Sequence, residues 1–435
     1  MGRVAADARL APPSIVAPTA RVATRSIPVR TATAFLLVLF LVAFPKGGVK
    51  LAGVPITWGY LMLGIPAAAL AWHLASGAGL RLPRRRLLAL GALIPFQLLI
   101  WGTLLVHGFE HPGFMVSLLV TFFFIPPVML LGVGVHLDEM DLRPLFRWIR
   151  NAVLFVAVYG IVLFFYTLAT GEFIEVPYLT MNAGDVGELG EKFNDRGGIW
   201  KLISTYNNGN LYGVSMLLLL PLYMQLERGP VKRSVVKMSL LLSLSRTVWV
   251  GLLLWEFFDR IYVRGLSVRR LVGMVIALAA AAGAILFALV VLLKQPLGFL
   301  VSRDLGGRKG LELLPDASVL PDGPYTIIPE IVYAGVVNDF GMLGLVLYVL
   351  AMLSPLLLAA VGAVPFAAGT WKRALMVSLV IYTLIAAIDG GLLFIPVAAF
   401  YWFVASLLLS DNPSLRGDAE LSRQGPSLKS PRFRT

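Results

Sequence analysis

The chain contains no cysteine in its 435 residues, which excludes disulfides, iron–sulfur clusters, thiolate nucleophiles and cysteine-ligated zinc. Charge is scarce as well: 14% of residues are Asp, Glu, Lys or Arg, against about 25% in soluble domains. There are four histidines, too few to build several metal sites. What fills the chain instead is apolar. Hydrophobic residues make up 58% and the mean hydropathy is +0.82. A soluble fold of this size lacks the interior to hide so much apolar surface. The 42 Gly and 27 Pro follow no period, so the chain is not fibrous. These numbers describe an all-α, polytopic membrane protein.

Runs of roughly 20 apolar residues cross about 30 Å of hydrocarbon as helices, so they are the unit of reading. The first 30 residues carry five Arg and one Asp with several Pro, and read as a basic, flexible arm. The run Thr31–Phe44 resembles a signal peptide in length but has Pro45 and no small-x-small site behind it, which favours an anchor that is kept. Further spans are expected near Ala52–Ala75, Leu87–His107, Gly113–Val135, Ile149–Ala169, Gly209–Leu226, Leu271–Leu293, Ile331–Val361, Ala374–Ile388 and Leu392–Leu409.

Basic residues in short loops set orientation. Arg81–Arg86 holds four Arg, Arg143–Arg150 three, Arg228–Lys237 four basic residues, and Asp259–Arg270 four Arg, with Lys372–Arg373 closing the series. Between them lie Gly108–Pro112 and the loop Thr170–Asn208, which has six acidic and three basic residues. The alternation is regular if both termini are cytoplasmic. Much of the net charge of +13 is then an orientation signal and not a nucleic-acid footprint. The stretch Val235–Phe258 has basic loops on both sides, so a single crossing would violate the rule. Two short helices turning near Ser243-Leu244-Ser245-Arg246-Thr247 satisfy it, and bring the count to about 12 membrane segments. The organisation expected is a cytoplasmic arm (1–30), one helical membrane domain (31–409) with outer loops near 170–208 and 294–330, and a cytoplasmic tail (410–435).

Few residues carry chemistry. Arg246 falls at the tip of the expected hairpin; an arginine at bilayer depth costs about 2.5–3.5 kcal/mol on insertion scales and is usually functional, the alternative being a side chain that snorkels to the interface. Arg303, Arg308 and Lys309 surround Gly306-Gly307 in the late outer loop, a combination that suits a phosphate, although taken alone such charges are more often a solvated loop. Glu330 follows Pro329 at an expected helix start, where a carboxylate is either a first-turn residue favoured by the helix dipole or a general base. Asp339 lies two turns further in and reads as hydrogen-bonded structure. His107-Gly108-Phe109-Glu110-His111 spells the H-x-x-E-H of inverted zinc proteases, but Gly108 and Pro112 interrupt the helix that such a site needs, and no metal is expected. No Walker loop, Ser/His/Asp set or haem ligand pair is present, so no cofactor is expected.

Three stretches together resemble the bacterial O-antigen polymerase and O-antigen ligase superfamily. Thr205-Tyr206-Asn207-Asn208-Gly209-Asn210-Leu211-Tyr212-Gly213 is similar to its T-x-x-N-x-N-x-x-A/G entry, and Ser243-Leu244-Ser245-Arg246 to its T/S-x-S-R turn. Gly307-Arg308 and Asp339-Phe340-Gly341-Met342-Leu343-Gly344 are similar to its late G-R pair and its E-x-G-x-x-G, with Asp for Glu. The likeness extends loosely over Ile203–Leu409. Ligases carry a His nine residues before the acidic member of the last motif; here that position is Glu330, which favours the polymerase branch.

The resemblance implies glycosyl transfer in the inner membrane, on its periplasmic side. The donor would be a glycan on polyprenyl pyrophosphate, and a chain-length regulator and other assembly proteins would be partners. Glu330 would act as the base. Arg246, Arg308 and Arg303 would hold the pyrophosphate, with Asn210, Ser245 and Asp339 in support. A secondary transporter is the reading from another class, with Arg246 and Asp339 as substrate and coupling sites; the dissimilar halves of the chain speak against it.

Overall fold

In the computed structural model the apolar runs form helices, and it describes residues 27–51, 54–76, 83–108, 112–187, 189, 199–263, 318–321, 331–363, 370–391, 395–412 and 415. Six helices among these are long and apolar enough to cross a membrane: Trp58–Ala75, Arg84–His107, Met115–Glu139, Leu142–Thr170, Gly209–Leu226 and Val332–Val361. The expected span Leu271–Leu293 lies outside the described residues, as do both tails and most of the loop 294–330.

In chain order the elements are α1 (Ile27–Val38), the strands β1 (Gly48–Leu51) and β2 (Val54–Thr57), α2 (Trp58–Ala75), α3 (Arg84–Gly91), α4 (Ile94–His107) and α5 (Met115–Glu139). They continue with α6 (Leu142–Thr170), α7 (Gly209–Leu226), α8 (Pro230–Leu242), α9 (Arg246–Phe258), α10 (Val332–Leu358), α11 (Thr370–Ile385) and α12 (Ile395–Leu408). The two strands correct the all-helical expectation locally. They pair antiparallel with Gly48 opposite Thr57 and Val49 opposite Ile56, and α2 starts at Trp58 instead of Ala52. The β-branched residues Val49, Val54, Ile56 and Thr57 favour the extended chain, and Pro55 resists the helix.

Helix α5 runs through two wider turns, at Val120–Phe124 and Val128–Val133. They flank Pro126-Pro127, whose missing N–H groups break the regular ladder. Helix α6 is capped at both ends: the Asp141 carboxylate accepts from the Arg143 N–H (3.0 Å), and Gly171 closes it at φ 78.

The bundle is built around α7. In α7, 83% of the residues are enclosed by protein, against 17% in the peripheral α2. Helices α9, α11 and α12 pack on it, as does α6. The basic loops gather at one end of the bundle. There Arg86 grips Asp138 through two bonds of 2.6 and 3.0 Å, Arg85 pairs with Asp411 (2.8 Å), and Lys372 donates to the Ser410 carbonyl (3.4 Å). Glu227 at the close of α7 faces Arg150 and Lys232, while Glu256 joins Lys237 and Arg260.

Candidate functional site

The end of the bundle opposite the basic loops has a different construction. The segment 199–208 is not helical apart from one short turn, yet Lys201, Leu202, Ile203, Ser204, Thr205, Tyr206 and Asn207 are all buried. Buried irregular backbone must have its polar groups met inside the protein. Here the Leu202 N–H donates to the Leu242 carbonyl (3.0 Å), Ser204 Oγ to the Val156 carbonyl (2.7 Å) and the Tyr206 hydroxyl to the Val42 carbonyl (3.0 Å). Ser204 and Asn207 take left-handed backbone, at φ 50 and 58. Asn tolerates that region; for Ser it stores strain of the kind found at functional sites.

This segment delivers the chain to the start of α7. Asn208 caps it, its side-chain oxygen accepting from the N–H groups of Asn210 (2.9 Å) and Leu211 (3.1 Å). Gly209 is required by close approach: a Cβ there would sit 2.9 Å from Lys201 Cβ and 3.1 Å from the Leu202 carbonyl oxygen.

Helix α9 begins beside α7. Gly213 packs on Val248 and Gly251 on Leu217, so the two helices run parallel and their first turns lie level. The expected hairpin is present: α8 and α9 are separate, Leu244 at the turn has φ 48, and Lys237 on α8 returns to Glu256 and lies over the Trp255 ring at 4.7 Å. The Trp249 ring N–H donates to the Leu241 carbonyl (2.9 Å) across the turn. Arg246 is the first residue of α9 and is exposed. Ser245 occupies the cap position, buried and without a capping side-chain bond.

A third helix starts at the same level. Val332, the first residue of α10, packs against Gly390, where a Cβ would lie 2.8 Å from Val332 Cγ2. The neighbouring Asp389 follows α11 and accepts a 2.8 Å bond from Asn210 Nδ2. Asn210 Oδ1 in turn accepts from Lys201 Nζ (3.2 Å). Lys201 and Asp389 are 4% and 6% exposed, and the Asn210 amide bonds to both inside the protein. The amino ends of α7 and α10 thus meet near Lys201, Asn210 and Asp389, and the amino end of α9 lies level with that of α7. Each helix amino end carries about half a positive charge, a field that favours an anion.

Of the residues singled out from the sequence, Asn210 lies in the first turn of α7, and Ser245 and Arg246 stand at the start of α9, level with it. Asp339 is carried about 10 Å further along α10. It is buried and accepts from Asn338 Nδ2 (3.0 Å), next to Gly341, which breaks the helix at φ 68 and ψ −177. Glu330, Arg303 and Arg308 lie outside the described residues. In the H-x-x-E-H stretch, α4 ends at His107 with Gly108 at φ 84, and His107 Nε2 lies 3.3 Å from the Pro321 carbonyl oxygen. The continuous helix that a two-histidine zinc site needs is therefore broken there.

Lys201 and Asp389 were missed by sequence reasoning. In the sequence Lys201 is one of three basic residues in an acidic loop, with nothing to set it apart. Asp389 stands between two apolar runs, and nothing near it in the chain marks the amide it meets in space. Comparison with protein-family models and with curated proteins gives no match.

Proposed function

We propose that the chain is an inner-membrane glycosyltransferase that polymerises oligosaccharide repeats carried on polyprenyl pyrophosphate, on the periplasmic side. The observation that carries this reading is three helix amino ends at one level, with Arg246 opening one and Lys201 bonded to Asn210 in the first turn of another, at the end of the bundle away from the basic loops. Such a place suits a diphosphate, whose negative charge grows as its bond to a sugar breaks. The apolar bundle around it suits a lipid carrier. The sequence resemblance supplies the rest.

In the reaction, an acceptor hydroxyl oxygen bonds to the anomeric carbon of the donor glycan. The bond from that carbon to the pyrophosphate oxygen breaks, and the polyprenyl pyrophosphate leaves with the electron pair. The hydroxyl proton passes to the Glu330 carboxylate. Arg246 and Arg308 neutralise the departing diphosphate, their planar guanidinium groups donating paired hydrogen bonds to its oxygens. In the polymerase the acceptor is a second lipid-linked repeat; in the alternative, a ligase, it is lipid A-core. Glu330 in place of the ligase histidine favours the first.

One observation favours a different class. The break inside α10 at Gly341 is of the kind that many secondary transporters use to hold ions. Deleting the gene separates the readings. A polymerase leaves surface glycan of single repeats, a ligase leaves long polymer that is not attached to lipid A, and a transporter leaves both the length and the attachment of the glycan unchanged.

A further inference from the structure

We propose that the bundle holds a site for one acyl chain of a membrane phospholipid, in a cavity that opens sideways between α1 and α2. The site is separate from the diphosphate reading above and does not depend on it.

The cavity measures about 150 Å³. One face of α1 and of the wider turn after it (Leu39–Ala43) forms a wall, from Thr33 and Leu37 to Leu41 and Val42. Thr33 to Val42 is a rise of about 14 Å along a helix, so the space is elongated along the bundle. Helix α5 lines it over a similar length, from Met129 to Met140, and Phe400 of α12 and Leu219 of the central α7 close the back. Spread over that length, the volume makes a channel wide enough for one hydrocarbon chain. A partner helix, about 10–12 Å across, does not fit.

The lining is apolar apart from Thr33 and His136. Water is held in a cavity by several polar partners, so hydrocarbon suits these walls better. The mouth shows where the occupant comes from. Ile65 of the lining is 41% exposed, and Ala34, Leu37 and Ala69 are half-buried. The outer faces of α1 and α2 beside them carry the exposed Phe35, Leu61 and Trp72, an apolar surface that belongs in lipid. A molecule entering there therefore comes from the bilayer.

The polarity of the channel selects the leaflet. Val42 points to the end with the irregular segment, where its carbonyl accepts from the Tyr206 hydroxyl (3.0 Å). Thr33 and His136 lie toward the other end, where Asp138 is gripped by Arg86 and the basic loops gather. A phospholipid of that leaflet has its headgroup at the basic loops, which attract anionic lipid, and its chain running inward. The carrier lipid of the proposed reaction has its diphosphate at the opposite end. A seated chain also gives α2, which has little protein around it, dispersion contacts with the bundle through Ile65 and Ala69.

The test uses the full chain in nanodiscs of phosphatidylethanolamine and phosphatidylglycerol. A tracer of phosphatidylglycerol bears a photoreactive group midway along one acyl chain. Leu219 is the readout, because it is 1% exposed and lipid reaches it only through the cavity. The exposed Leu98 on α4 reports labelling from bulk lipid. Wild type should be labelled at both. Ala34→Phe and Ala69→Phe, which fill the channel from its mouth, should lower labelling at Leu219 on the order of tenfold, the loss of about two buried methylene groups. Both should leave Leu98 unchanged and melt near wild type; if one fails to fold, the other carries the comparison. Folded wild type labelled at Leu98 but not at Leu219 overturns the site, and so does undiminished Leu219 labelling in a folded variant. Excess unlabelled phosphatidylglycerol should displace the label from Leu219. Displacement by polyprenyl phosphate and not by phosphatidylglycerol overturns the phospholipid as occupant and gives the channel to the isoprenoid chain.

Discussion

Arg86 is wholly buried and forks onto Asp138, which also accepts from Ser410 Oγ (2.5 Å) and the Asp411 N–H (3.2 Å). The guanidinium reaches the Ser406 carbonyl as well (3.5 Å), so one side chain ties α3 to α5 and to the close of α12. Removing one partner of a buried pair leaves the other uncompensated, at about 3–5 kcal/mol. Arg86→Met should therefore lower the unfolding temperature sharply, and Arg86→Met/Asp138→Asn should recover much of it, as read by thermal unfolding of the purified protein. Equal losses in the single and double variants would contradict the pairing. At this scale the sequence was partly legible. Arg86 stood out only as one of four arginines in a loop, because the charge rule places it at a membrane end but says nothing of the carboxylate it meets 52 residues later. Asn210 was legible through its motif. Lys201 and Asp389 were not, since their common partner lies between them in space and far from Asp389 in the chain.

Among the elements, the α8–α9 hairpin was legible for a physical reason. Basic loops on both sides of one apolar stretch demand an even number of crossings, and Ser243–Ser245 was the place to turn. The break in α10 was legible only as a motif. Its cause is local: Gly341 takes φ 68, which turns the Met342 and Leu343 N–H groups toward the Ser318 and Val319 carbonyls at 3.0 and 3.1 Å. A Cβ at 341 would lie 2.6 Å from the Val319 oxygen. Gly341→Ala should cost at least about 1–3 kcal/mol, whereas Gly102→Ala on α4, with open space around it, should be neutral or stabilising. Thermal unfolding of the two variants side by side checks this, and equal stability would contradict the kink. The β1–β2 hairpin was not legible, because β-branched residues beside a membrane span look the same whether they continue it or precede it.

For the whole molecule, the basic loops lie at one end and the meeting of helix amino ends at the other, so topology and function are coupled. The chain has no cysteine, and single thiols can be introduced without background. A thiol at Val186, exposed in the loop after α6, should react with an impermeant reagent in intact cells, and one at Ser76, at the close of α2, only after lysis. The reverse pattern would turn the site toward the cytoplasm and remove a periplasmic reaction.

The central claim, transfer of a glycan from a lipid diphosphate with a carboxylate base, is tested most directly by turnover of the purified chain on a polyprenyl-pyrophosphate-linked oligosaccharide. Polymer length and released polyprenyl pyrophosphate are followed together. Wild type should yield a ladder of polymer with stoichiometric release of the lipid. Glu330→Gln should bind donor normally and turn over on the order of 10²–10⁴ times more slowly, while Arg246→Ala should also weaken donor binding and Arg246→Lys should recover only part of it. A folded wild-type protein that leaves the donor unconsumed, or a folded Glu330→Gln protein that makes full-length polymer at the native rate, would contradict the account.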